Sequence, residues 1–160
     1  MSELSLHACI SDKDQRLVER ALRAVERQFL CADAAPEFTS STLALNYLRL
    51  QLWEQDREHF LVLFLNNQHQ LIATEKLFSG DLNHVEVHPR IIARKALLYN
   101  APAILIAHNH PSGIVCPSEA DKRVTGRIKD VLSMLEIRLL DHIIIGADGN
   151  YWSFSEHAQL

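Results

Sequence analysis

The chain has 160 residues, 48% hydrophobic and 22% charged, with a net charge of −4 at pH 7; a single domain of that size buries roughly 70% of the surface its unfolded chain exposes, and this composition excludes a disordered or collagen-like chain. No apolar run approaches the ~20 residues that span a bilayer, and the opening MSELSLHACISDKDQ lacks the apolar stretch of a signal peptide, so the sequence reads as that of a cytoplasmic protein. Cys9, Cys31 and Cys116 are odd in number and form no C-x-x-C pair, which favours reduced thiols over a disulfide framework.

Residues 13–30 carry Leu17, Ala21, Val25 and Phe29 at helical spacing and predict one amphipathic helix. Arg16, Arg20, Arg23 and Arg27 fall along another face of it. They form either a solvated stripe partly neutralised by Glu19 and Glu26 or a contact for nucleic acid or a partner. Bulk charge gives no support to a polyanion binder, being −3 over residues 1–60 and −1 beyond. Pro36 breaks the following connection, and Ser40 or Ser41 caps a second helix reaching about Trp53, with Leu43, Tyr47 and Leu50 inward.

The period then changes. HFLVLFLN (59–66) is continuously apolar and predicts a strand buried on both faces. After the turn NNQHQ, LIATEKL (71–77) pairs back, and the alternation of HVEVH (84–88) predicts a third strand. Pro89 suits a first helical turn, and residues 89–100 read as a helix on the pattern of Ile92, Ala96, Leu97 and Tyr99. APAILIAH (101–108) is a short buried strand, 118–135 a helix, and IRLLDHIIIG and NYWSFS two closing strands around ADGN. Strands mixed with helices in one compact chain predict an α/β or α+β fold, a sheet with helical cover.

Polar chemistry concentrates where the buried strand ends. In extended backbone, residues i and i+2 point the same way, so His108 and His110 project together while Asn109 points opposite. Asp121 arrives eleven residues after His110 on the first turn of the next helix, where the helix dipole favours a carboxylate. Two histidines and one aspartate leave a fourth tetrahedral position open, the arrangement of a catalytic zinc. Ser118 and Asp121 form an S-x-x-D start, read locally as a capping box.

The run His108-Asn109-His110-Pro111 followed by Ser118 and Asp121 resembles the H-x-H-P…S-x-x-D signature of the JAMM/MPN+ metallopeptidases, and HNHPSG resembles its bacterial RadC-like branch. The similarity extends to EHFLVLFLNN, LFSGDLNHVEVHPR and DHIIIG, over about residues 55–156. It implies a JAB/MPN-like fold, a mixed sheet with helices on both faces related to the cytidine-deaminase-like architecture. The chain then divides into a helical extension, 1–39, and a metal-binding domain, 40–160.

The resemblance further implies Zn2+ held by His108, His110 and Asp121, with Glu58 as general acid/base and Ser118 steadying the oxyanion. Glu75 and Glu86 are the substitutes for Glu58. The implied reaction is hydrolysis of an amide in a peptide or isopeptide substrate. The alternative is a DNA-repair or mobile-element accessory protein that binds DNA or partner proteins.

Some features depart from the family. Its members commonly begin with a helix-hairpin-helix segment for DNA, but the first glycine here is Gly80, so that appendage is expected to be missing. Ile91 stands where an acidic residue is frequent. Cys116 lies in the ligand loop and could bring a thiolate to the metal, and Asp141-His142 matches a family pair open to a packing or a hydrogen-bonding role. The letters HNH do not indicate a nuclease of that name, whose three residues are dispersed. A zinc deaminase would need H-x-E and P-C-x-x-C, which are lacking. An Fe(II) oxygenase also uses two histidines and a carboxylate, but nothing else favours oxygen chemistry.

Overall fold

The computed structural model describes residues 11–30, 42–80 and 86–160. Cys9, Cys31, Pro36, Ser40, Ser41 and the first residues of the expected 84–88 strand lie outside them, as do the side chains of Phe29 and Leu43. Along the described chain run helices α1 (Asp12–Leu30) and α2 (Thr42–Gln51), strands β1 (His59–Leu65) and β2 (Leu71–Ser79), and α3 (Pro89–Leu98). Strand β3 (Ala103–His110), α4 (Glu119–Met134), β4 (Arg138–Gly146) and β5 (Tyr151–Ser153) complete it. No helix among the described residues is long and apolar enough to cross a membrane.

The five strands form one mixed sheet in the order β2-β1-β3-β4-β5. Only β3 and β4 are parallel; the other neighbours are antiparallel. Parallel neighbours need a crossover, and α4 supplies it. All seven residues of β1 are buried, as its continuous apolar run requires of a strand covered on both sides.

Period two sorts the core into two halves. Leu61, Leu63 and Leu65 of β1 join Ala103, Leu105 and Ala107 of β3 beneath Tyr47, Leu48 and Leu52. Phe60, Val62 and Phe64 join Ile104 and Ile106 beneath Ile92 and Ala96 of α3 and Ile128 and Leu132 of α4. Helices therefore cover both faces, and the architecture is the mixed α+β sheet expected. Continuing the alternation along β3 carries His108 and His110 to the α4 side and Asn109 to the α2 side.

Helix α1 rests on α2 and the β2 edge through Val25, which packs on the first core half, and through Glu26, whose Oε1 accepts from Gln51 Nε2 (2.9 Å) and Tyr47 Oη (3.2 Å). Glu26 thus turns away from the arginine stripe it was expected to neutralise; among the described residues Glu19 alone approaches it, 4.0 Å from Arg23. Leu17, expected inward, is 61% exposed.

The expected strand over 84–88 is not formed in its described part. Residues 86–88 run irregularly into Pro89, with His88 as the extended cap of α3, and Val87 packs on the core without joining the sheet. Strand β3 begins two residues later than expected, after Pro102, which has no N–H for pairing, and continues through His110 because β4 pairs with it to that point. Leu97 of α3 is exposed at 59%, and Ala93 takes the inward position beside Ile92 and Ala96.

Candidate metal centre

Three elements meet at the C-terminal end of β3, where parallel strands of α/β sheets commonly place their ligands. Strand β3 brings His108 and His110, the start of α4 brings Asp121, and the residue before β1 brings Glu58. One ligand atom from each of these four residues lies within 4.8 Å of the others. His108 Nε2 is 2.9 Å from His110 Nε2, 3.2 Å from Asp121 Oδ1 and 3.9 Å from Glu58 Oε1; His110 Nε2 is 3.5 Å from Asp121 Oδ2.

The proton positions follow from the partners. Thr125 Oγ1 lies 2.6 Å from the Asp121 carbonyl and 2.6 Å from His142 Nδ1. A carbonyl cannot donate, so the hydroxyl gives its one proton to that oxygen and accepts the N–H of His142. The other ring nitrogen of His142 is then an acceptor, 2.8 Å from His108 Nδ1, which must carry the proton. His108 Nε2 is left as a bare lone pair facing the cluster. His142 suits this neutral relay: complete burial pushes its pKa well below the usual value, and His108 adds to the effect.

His110 reaches the same result by another route. Its Nδ1 donates to the Ile114 carbonyl at 2.6 Å, leaving Nε2 turned inward. The loop that presents this carbonyl turns at Gly113, whose φ of +81° glycine adopts without steric cost. Burial alone would lower the His110 pKa, but its bonds to Asp121 and Ile114 outweigh that and raise it. Burial would likewise raise Asp121, yet the two imidazoles and Ser118 hold its carboxyl well below the ordinary carboxylate range. Two imidazole nitrogens and a carboxylate converging on one point are a donor set that fits a divalent cation such as zinc.

Ser118 is the N-cap of α4, and both halves of the capping box are formed. Asp121 N–H donates to Ser118 Oγ (3.1 Å), while Ser118 N–H and Oγ–H both donate to Asp121 Oδ2 at 2.7 Å. The sequence reading as a cap and the reading as a site residue thus meet in one side chain, whose hydroxyl proton steadies the carboxylate.

Asn109 was the residue between two others in the sequence reading; its environment makes it more. Its side chain is fully buried, accepts from His59 N–H (2.7 Å) and donates to the Arg57 carbonyl (2.9 Å). Those two bonds bracket Glu58 and hold its backbone against β3. Thr125 was not found from sequence either, although it lies one turn beyond Asp121 and shares its helix face.

The substitutes for Glu58 are placed elsewhere. Glu75 is held by Lys95 (2.8 Å) and Tyr99 on the β2 edge, and Glu86 is exposed, 3.9 Å from His88. Cys116 is an exposed free thiol outside the convergent group. Asp141 accepts from Ser153 Oγ (2.6 Å) and the Ser155 N–H (3.0 Å), a packing role separate from that of its neighbour His142.

A cleft of about 460 Å³ opens over the centre, lined among others by Glu58, Phe60, Val87, His110, Ser118, Asp121 and Val124. A family model for the RadC-like JAB domain matches residues 38–160. The chain belongs to the RadC-like JAB domain family. UPF0758 protein YkfG of Escherichia coli (strain K12) is 46% identical over the whole of both chains. UPF0758 protein YeeS of the same organism is 44% identical over 92% of this chain and 97% of its own. A UPF0758 protein of Histophilus somni (strain 2336) is 52% identical over 76% of this chain and 54% of its own.

The His142 relay has a measurable consequence for this RadC-like site. Thr125→Val keeps the side-chain shape but removes the acceptor for His142 Nδ1, so the tautomer presenting His108 Nε2 loses its anchor. Affinity for a divalent metal ion is expected to fall about 10–100-fold, the range for partners that orient a metal-binding histidine, as read by chelator competition.

Proposed function

We propose that the protein is a zinc-dependent hydrolase that cleaves an amide or isopeptide bond. The convergence of Glu58, His108, His110 and Asp121 at the base of an open cleft carries this reading. In it residues 1–39 are an appended helical extension, and 40–160 the metal-binding domain.

His108, His110 and Asp121 would hold the metal, their orientation fixed by His142, the Ile114 carbonyl and Ser118. Zinc in such a site supplies a Lewis acid that brings the pKa of water towards ~7 and polarises a carbonyl. Glu58, 14% exposed and facing the cleft, takes the proton of the attacking water and returns it to the leaving amine. Ser118 donates to the developing oxyanion once its hydroxyl turns from Asp121.

Elemental analysis of the purified protein, followed by a screen of isopeptide, peptide and phosphodiester substrates, tests the reading. One zinc per chain with cleavage confined to amides is the expected result. Cleavage of phosphodiesters alone, or a metal-loaded protein inert to every amide offered, would reject it. The exposed Arg16, Arg20, Arg23 and Arg27 favour the second reading, a DNA- or partner-binding accessory. Salt-sensitive DNA binding abolished by substituting that stripe would establish it.

A further inference from the structure

Lining the cleft on the α4 side, beyond Asp121, are Arg123 and Arg127. At ~100° per residue they lie about 40° apart around the helix, with Val124 between them and Asp121. Both are exposed, and among the described residues neither makes an ion pair of 4.0 Å or less, although Arg123 lies near enough to Glu119 to help lower its pKa. Lys122 on the same helix, by contrast, closes on Glu119 at 2.8 Å. Ala120 also lines the cleft, and its small side chain leaves room beside the two arginines.

We propose that Arg123 and Arg127 form a carboxylate-binding subsite, and that the substrate is a peptide chain with an acidic residue close to the bond that is cut. This rests on the hydrolase reading above. Guanidinium groups grip a carboxylate through paired, charge-assisted hydrogen bonds, which lysine cannot match in geometry. The two residues stand about 3 and 9 Å along the axis from Asp121 at 1.5 Å per residue. They also lie about 160° and 120° around the helix from Asp121, so the gripped side chain belongs a few residues from the scissile amide, an extended peptide advancing ~3.5 Å per residue.

The rest of the lining argues for one carboxylate and against a polyanion. Glu58, Glu86 and Asp121 share the cleft with the arginines, so a run of phosphates threaded through it would meet like charge. A peptide bearing a single acid meets the arginines alone, while Pro111, Val87 and Val124 offer its backbone and neighbours aliphatic walls.

The test uses the zinc-loaded full chain carrying Glu58→Gln, to retain substrate without turnover. It is exposed to a randomised pool of end-blocked octapeptides, and the retained peptides are sequenced by mass spectrometry. Asp and Glu are expected to exceed Asn and Gln at one position by at least about tenfold, the scale of one charge-assisted contact. Adding Arg123→Gln and Arg127→Gln abolishes that preference while zinc content stays at one per chain. No retained peptide, a pool with no acidic preference, or a preference that survives the double substitution overturns the proposal. So does a single-stranded oligonucleotide held more tightly than any peptide and released by the same double substitution. The hydrolase reading fails separately: a wild-type protein that cuts none of the selected peptides, with the arginine-dependent preference intact, leaves the subsite standing and removes only the chemistry.

Discussion

On the proposed hydrolase reading, replacing Glu58 by Gln is expected to lower amide turnover by about 10²–10⁴-fold, the range contributed by a positioned general acid/base, with zinc still at one per chain. Glutamine matches the shape of glutamate and hydrogen-bonds, but it cannot accept a proton from water and pass it on. The geometry makes the experiment clean. Asn109 fixes the chain on either side of Glu58 through backbone groups, so the substitution leaves the side chain where it was. Initial rates and metal content, measured on the same preparation, separate lost chemistry from lost metal. Unchanged turnover would move the base elsewhere, and among the described residues the geometry offers no ready replacement: Glu75 is tied to Lys95 and Tyr99, and Glu86 lies outside the convergent group.

Asp121 carries the second large expected effect, because in the proposed site it would serve the metal and the helix at once. Asp121→Ala would remove a proposed ligand, so zinc affinity is expected to fall by more than the ~10–100-fold commanded by an orienting partner. It also removes the acceptor of the Ser118 N–H and hydroxyl, half of the capping box, at a cost of ~1 kcal/mol. Asp121→Asn separates the two. Its amide oxygen still accepts from the Ser118 N–H, so the unfolding midpoint stays near that of the wild type, but the uncharged group binds zinc weakly. Chelator competition and denaturant melts on both variants resolve the roles. Wild-type zinc affinity in either variant would exclude Asp121 as a ligand.

Much of this could be read along the chain, for identifiable reasons. The β1 run HFLVLFL announces burial on both faces with no polar interruption, and the period-two argument alone places His108 and His110 side by side. Asp121 was legible because a cap signal and a ligand signal coincide three residues after Ser118. What sequence hides is contact across elements. Thr125 and His142 are 17 residues apart and meet only because α4 packs on β4. Asn109 and His59 are 50 apart and meet only through the β1-β3 pairing. The described end of the 84–88 segment, residues 86–88, misled for a related reason: Val87 rests on the core, and alternation cannot tell such residues from a paired strand.

The two imidazoles are braced unequally, and that asymmetry gives the centre a back and a door. His108, 1% exposed, stands on a column of side chains sunk in the protein interior, whereas His110, 16% exposed, leans on the peptide oxygen of a surface turn. In the proposed metal site the inner imidazole would be the fixed back wall, while the outer one, with Glu58 and Asp121, faces the open cleft through which an ion would reach it.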